Sequence, residues 1–582
     1  MQPPHSLLDL SGRGLGWQRF ISYTLLLSVT FALYGVTVYY GFVWDDFTYV
    51  VRNYRIRGLD WIHIQEVWTN TFLGHYAPVQ HTFLAVVYFF SGLDPIGYHL
   101  GQLLVHAGCV CLLYCILEKM ESPRVALAAT LLFAVHPANI ETVAWISETK
   151  STLAFLFFLL SFWFFMRLRE RERWQDGVLS GLFLILSVLA KINTVVAPAI
   201  FLAYDYRQGT PLPKFKWRSL AAFVLISGVF TGIHLTAFHG TPSTLASGYL
   251  GGPATHLMNL PLLLFFYLKM IVYPHPISAW EMMSVQLQWN WMVALGWVGF
   301  AGLAWILLRS RREAQFWGLW IFIFLLPVLQ IIPFPIWVAD RYLYIPAIGG
   351  FVIIARFFFQ AADRLRRWPR LALEAAMLFA ALLLAWATTR HLPIWQNDLT
   401  LWTATTPTCM TSGYCHMNLG LALLEAGQVE RGMRELIRAV ELRPGPQQLE
   451  RLGDAYTLTA HDYRQAVIAY TMARDAEGQD PGSTIYAKLA RVHFYAGQWE
   501  EARRAIDEGK RVNPTDPNLW IADGFVLWKR GMREEARVSL QRALAMARPR
   551  SDMPEFLTDF WRNPAEVAQI LSDLWPSPSR AP

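Results

Sequence analysis

The chain has 582 residues, of which 54% are apolar, 15% aromatic and only 16% charged; a water-soluble chain of this length needs more charge to cover its surface, so an ordinary soluble globule is excluded and lipid is the expected solvent. The formal net charge of +7 does not point to nucleic acid, because Lys and Arg cluster in short patches between apolar runs, as loop charges do in membrane proteins. Of the five cysteines, Cys109, Cys111 and Cys115 fall within one apolar run, where burial is the plain reading; no zinc-ligand spacing, P-loop or Gly-rich nucleotide fingerprint occurs.

In chain order, Arg13 and Arg19 precede the apolar run Ile21 to Tyr40. That run is too long for a cleaved signal peptide and lacks a small-residue cleavage site, so it reads as an uncleaved signal anchor. Apolar runs follow at Tyr98 to Leu117, Val125 to Val135, Leu153 to Met166, Val178 to Ala190, Ile192 to Tyr204, Leu220 to Phe238, Leu257 to Val272, Trp291 to Leu308, Phe316 to Ile332, Leu343 to Phe359 and Leu371 to Ala387. Several fall short of the roughly 20 residues a spanning helix needs, so their ends are loose.

Basic patches at Lys119 to Arg124, Arg167 to Arg173, Lys214 to Arg218, Arg309 to Arg312 and Arg364 to Arg370 separate these runs. Lys and Arg are retained on the cytoplasmic side. The segment after the first run, the stretch His136 to Lys150, the segments His239 to His256 and Pro333 to Ile345, and everything after Ala387 then face outward. Parity leaves Leu257 to Val272 between two outward segments, so it is expected to be re-entrant or to lie along the interface. Val178 to Ala190 and Ile192 to Tyr204 form a tight hairpin with Lys191 and Asn193 at its tip. The total is about eleven spans, with the N-terminus inside and the C-terminus outside.

Beyond Ala387 the composition becomes soluble, and a pattern of roughly 34 residues appears, the period of tetratricopeptide repeats. Its landmarks are Asn418-Leu419-Gly420 with Gly427, Leu452-Gly453-Asp454 with Ala466, Leu489 with Gly497 and Ala502, and Ala522 with Gly531 and Ala536. Pro444, Pro481, Pro514 and Pro549 close the units. The expected organisation is all-α: a membrane bundle over 1–390, a linker over 391–412, about four repeats over 413–550, and a tail with a short helix over 551–582. Stacked helical hairpins form a concave groove, which is expected to take peptide or protein; a rigid cap without ligand is the alternative. Cys409 and Cys415 flank the start of the repeats and can pair if that region lies in an oxidising compartment.

Ionisable residues in or beside a membrane are costly and therefore functional candidates. Asp45 and Asp46 end the first run, and His136, Glu141, Glu148 and Lys150 lie at or after the outer end of the third. Lys191 marks the hairpin tip, and Asp340-Arg341-Tyr342 with Tyr344 marks another outer boundary. All are expected on one face. Carboxylates beside cations at a water–lipid boundary suit transfer from a phosphate-bearing lipid to a hydroxyl: a carboxylate acts as general base and fixed Arg or Lys charge stabilises the departing phosphate. The acidic pair also leaves a divalent cation open, although Arg and Lys alone can assist such a leaving group; no metal ligand set is assigned.

Several ordered motifs carry a family resemblance. They are Val43-Trp44-Asp45-Asp46; Tyr76 and Pro78 followed by Gly97-Tyr98-His99 and His106; Phe133-Ala134-Val135-His136-Pro137 leading to Glu141, Val143 and Ala144; Leu189-Ala190-Lys191; Asp340-Arg341-Tyr342-Leu343-Tyr344-Ile345-Pro346; and Trp395 with Asp398. In this order the chain resembles the transmembrane and tetratricopeptide-repeat-containing O-mannosyltransferases and their bacterial relatives, of the GT-C class of glycosyltransferases. The resemblance implies a GT-C helical bundle of about eleven spans, an inverting transfer from a polyprenyl-phosphate-linked sugar, and an acidic base in the first outer loop. It assigns that role to Asp45 or Asp46, with Asp46 placed first and Asp45 positioning the acceptor. Glu141 and His136 complete the acceptor side, and Lys191, Arg341, Tyr342, Tyr344 and Lys150 are the candidates for the donor phosphate.

Two positions depart from the family pattern. Ala77 stands where Arg is usual between Tyr76 and Pro78, and Ser147-Glu148-Thr149-Lys150 replaces a Gly-Arg-acidic stretch, with Lys150 keeping a positive charge there. These leave the sugar open. The expected partners are the lipid donor, membrane lipids, and an acceptor protein or assembly factor in the repeat groove. The expected location is a bacterial inner membrane with periplasmic repeats, or an endoplasmic reticulum membrane with luminal repeats in a eukaryote. A glycan or lipid acceptor, and a non-catalytic envelope scaffold, are the competing readings.

Overall fold

The computed structural model describes residues 15–72, 74–209, 214–239, 252–280, 283–331, 336–478, 482–546 and 553–575. Among these residues every long element is a helix, and the one extended pairing is an isolated bridge between Phe72 and His75. Arg13, residues 240–251 and 332–335 of the expected outward segments, and the repeat-closing Pro481 and Pro549 lie outside the described residues. The chain forms two compact units, Met1–Leu401 and Trp402–Pro582.

Among the described residues of the first unit seven helices are long and apolar enough to cross a membrane, or up to eight if the bent pair Pro123–Val135 and Pro137–Ala144 is one span. Trp217–Thr236, Trp291–Arg309 and Arg367–Gln396 leave most of their apolar surface unburied, the condition of helices whose solvent is hydrocarbon. Helix starts follow local rules. Asp94 accepts a hydrogen bond from the Ile96 amide ahead of Pro95, and Ser122 accepts from Val125 ahead of Pro123. In each case a short polar side chain satisfies an orphan N–H and proline takes a position that needs none. The runs of the expected hairpin form the helices Trp174–Ala190 and Ala197–Gln208, with the chain broken at Lys191 and a 3-10 turn over Ile192–Val196; the first packs mainly on Thr149–Arg171 and the second mainly on Arg312–Leu325 rather than on each other.

The run Leu257 to Val272 lies within Pro253–Val272, one unbroken 20-residue helix that passes through Pro261 and is among those long and apolar enough to cross. Its two ends are tied to distant segments. His256 stacks on Trp337 with ring centroids 4.8 Å apart, and the Ile271 carbonyl lies 3.2 Å from His136 Nε2.

The second unit carries four helical hairpins, Gly413–Glu425 with Val429–Leu442, Pro446–Ala455 with Tyr463–Ala476, Ser483–Tyr495 with Trp499–Val512, and Pro517–Lys529 with Arg533–Met546. Small residues set their close approach: a Cβ on Gly420 would sit 2.8 Å from Leu436 Cγ and 3.0 Å from the Gly432 carbonyl oxygen. The turn inside three hairpins needs a left-handed residue, supplied by Gly427, Gly497 and Gly531, and in the second hairpin His461 takes that conformation. Instead of one short helix the tail holds two, Met553–Trp561 and Pro564–Leu574, which bury Phe556, Trp561 and Ile570 in the core of the later repeats. Cys409 and Cys415 are joined in a disulfide.

Candidate functional site

The loop after the first helix turns sharply at Trp44, whose φ of 51° lies in the left-handed region. For a bulky side chain this is an outlier that costs about 1–3 kcal/mol and persists only when its surroundings hold it. Here they do. The Trp44 amide donates to Asp398 Oδ1 at 2.6 Å, the Gly41 amide donates to the Gln396 carbonyl at 3.0 Å, and the Trp44 indole stacks on Trp145 with centroids 4.5 Å apart and planes 4° from parallel.

The turn sends the two acids into different surroundings. Asp46 is fully buried. Its Oδ1 accepts from the Ser147 amide at 2.8 Å and the Ser147 hydroxyl at 2.5 Å, and its Oδ2 accepts from the Val43 amide at 3.2 Å. Burial pushes its pKa up to about 7, against these hydrogen bonds. Asp45 is half-buried. Burial raises its pKa too, while the Lys150 and Arg341 charges oppose the rise.

Around Asp45 three cations converge on one carboxylate. Glu148 lies 3.4 Å from Lys150 Nζ, 2.9 Å from Lys191 Nζ and 3.7 Å from Arg341 Nε. It also accepts from the Ser151 hydroxyl, which lies 2.7 Å from Lys191 Nζ. Arg341 has a second partner, Glu141, which binds its guanidinium and accepts from its backbone amide at 2.8 Å. Burial and the neighbouring cations outweigh Glu148 at Lys191, and its pKa falls to about 8. Lys150 sits 4.9 Å from the Tyr49 ring centroid, and Arg341 lies over both Trp145, at 5.5 Å, and Tyr342, at 5.1 Å. A pocket opens here, lined in part by Ser151, Lys191, Asn193, Arg341, Tyr342 and Tyr344.

Of the residues expected from sequence, Glu141, Lys150, Lys191, Arg341 and Tyr342 are joined in this cluster; Asp45 lies within reach of the Lys150 and Arg341 charges, and Asp46 lies beside the cluster through Ser147. His136 makes its contacts elsewhere. Its Nδ1 accepts from the Ala138 amide at 3.3 Å and its Nε2 meets the Ile271 carbonyl, so it ties helix ends together. Tyr344 lines the pocket, but its hydroxyl is engaged at 2.7 Å by His106 Nδ1. Sequence reasoning noted Ser147 and Glu148 without giving them a role and missed Ser151 and Trp145. The spacing of Glu148 and Ser151, three apart where a helix begins, was a usable signal; Trp145 carried none. Among the described residues no group of three or more His, Cys, Asp or Glu side chains is placed to share a metal ion.

Residues 76–231 match a family model described as dolichyl-phosphate-mannose-protein mannosyltransferase. The match begins after the acid pair and ends before Arg341. The chain is 22% identical to protein O-mannosyl-transferase TMTC3 of Mus musculus, over 92% of this chain and 65% of the mouse protein. It is also 22% identical to protein O-mannosyl-transferase F38B6.6 of Caenorhabditis elegans, over 75% of this chain and 64% of that protein. A shorter stretch, 25% of this chain and 22% of the relative, is 31% identical to protein O-mannosyl-transferase TMTC4 of Homo sapiens. The resemblance read from the ordered motifs is thus borne out over most of the chain, which spans 64–65% of the length of the first two relatives.

Proposed function

We propose that this chain, similar over most of its length to protein O-mannosyltransferases, is a membrane glycosyltransferase. It moves a sugar from a polyprenyl-phosphate carrier to a hydroxyl of a protein acceptor on the non-cytoplasmic face. The observation that carries this reading is the half-buried carboxylate of Asp45 beside a cluster in which Lys150, Lys191 and Arg341 share Glu148. Asp45 takes the proton of the acceptor hydroxyl as that oxygen bonds to the anomeric carbon and the bond to the phosphate oxygen breaks. Attack opposite the leaving group inverts the centre. The phosphate gains one negative charge as it departs, and the three cations stabilise it more in the transition state than before.

The order of the two acids is the reverse of that expected from sequence. Both oxygens of Asp46 are occupied by backbone and serine donors, which supports a positioning role for it and the role of base for Asp45. The Cys409–Cys415 disulfide supports an oxidising compartment for the repeats. Mannose, named in the relatives' activity, is the first sugar to test.

The test is transfer of labelled sugar from the polyprenyl-phosphate donor in membranes of a deletion strain complemented with wild type or Asp45→Asn. Loss of a positioned general base lowers the rate by roughly 100- to 10,000-fold. Wild-type transfer by Asp45→Asn, with equal protein in the membrane, would remove the assignment.

A further inference from the structure

Resting on the reading above, we propose that Asp398 is a positioning residue for the transfer: its carboxylate holds Trp44 in the left-handed conformation that delivers Asp45 to the cation cluster. Asp398 stands 354 residues beyond Trp44 and accepts its amide hydrogen at 2.6 Å. A carboxylate makes a shorter and stronger bond to an N–H than a neutral acceptor does, which suits a backbone that otherwise relaxes to negative φ.

Three further contacts come from the same short segment or bear on it. Gln396 accepts the Gly41 amide at 3.0 Å, so the acid loop is pinned at two points. Trp395, buried, packs on Trp145 with centroids 5.6 Å apart, and Trp145 is the ring on which Trp44 stacks and over which Arg341 lies. The segment therefore touches both the loop that carries the base and the ring that backs the phosphate-binding arginine. Finally, the helix Asp398–Thr405 takes its cap from Asn397, whose Oδ1 accepts the Thr400 amide at 3.0 Å. The N-cap thus falls to Asn397, and Asp398, in the first turn where an acid also suits the helix dipole, directs its Oδ1 to Trp44. Without its acceptor, residue 44 is released to ordinary backbone geometry, and the side chain that follows it turns away from the reacting atoms.

The experiment compares full-length wild type, Asp398→Ala and Asp398→Asn, reading transfer kinetics and hydrogen exchange over residues 41–46. Asp398→Ala should lower kcat by about 100-fold, the scale of a misplacement of roughly 1 Å, with KM for donor and acceptor changed by no more than about twofold. Asp398→Asn, which keeps a carbonyl acceptor at the same reach, should recover much of that loss. Amides over residues 41–46 should exchange faster in Asp398→Ala and near the wild-type rate in Asp398→Asn. Unchanged kcat, a loss confined to KM, or equal loss in both variants would overturn the inference. If wild type itself transfers no lipid-linked sugar, the functional reading fails, and unchanged exchange in Asp398→Ala then overturns the positioning role separately. Asp398→Ser, whose hydroxyl stops short of the amide, is measured alongside in case Asp398→Ala does not accumulate.

Discussion

Asp45 and Asp46 are adjacent acids with opposite surroundings, and substitutions should separate them. Asp45→Asn is expected to abolish transfer with little change in thermal stability. Asp46→Asn should do the converse damage, because an amide cannot accept from Val43 and Ser147 on both of its atoms; an unmatched buried donor costs about 1–3 kcal/mol. The pH dependence has a definite sign. Asp46 titrates near 7 in the fold and near 3.9 in an unfolded chain, so the folded state holds the extra proton between those values. Its contribution to stability is full below about pH 4 and is lost as pH rises towards about 7. Melting temperatures between pH 4 and 8 should show this decline in wild type and a flatter profile in Asp46→Asn. Lys191, with its pKa lowered to about 8 by burial first and by Lys150 and Arg341 next, should lose its charge as pH rises through that value. Donor binding should weaken there, and Lys191→Arg should move the alkaline limb upward. An unmoved limb would remove Lys191 from the phosphate site.

Elements decide how these residues meet. The helix break at Lys191 and the helix start at Thr149 put Lys191, Glu148, Lys150 and Ser151 at neighbouring helix ends, where their charges pair in a largely buried cluster. In the repeat unit the helix Met553–Trp561 ends in Trp561, which is fully buried and stacks on Phe525 with centroids 3.9 Å apart. Trp561→Ala should cost about 3–5 kcal/mol, as large aromatic truncations in cores do. A melting temperature of the repeats unchanged by that substitution would show that the tail helix is not part of their core.

At the scale of the whole molecule, the reading needs the repeats to lie in an oxidising compartment. Cys409 and Cys415 should resist alkylation in intact cells until a reductant is added, whereas Cys109, Cys111 and Cys115 are not paired with one another. Free Cys409 and Cys415 in freshly lysed cells would place the repeats in a reducing compartment and remove the proposed topology.

How far the sequence reached depended on the range of the interactions involved. Apolar runs, basic patches and the 34-residue repeat are local patterns, and they announced the membrane bundle, the break at Lys191 and the four repeats; the ordered motifs named most of the charged site. Charge parity set the run Leu257 to Val272 apart from the other spans, and it forms one continuous helix whose ends are tied to Trp337 and His136. The saturation of Asp46, the partners of Glu148 and the reach of Asp398 to Trp44 arise only in three dimensions. Hydrogen-bond saturation of Asp46, the convergence of three cations on Glu148 and a left-handed backbone held from 354 positions away depend on contacts between distant segments, and no spacing along the chain encodes those.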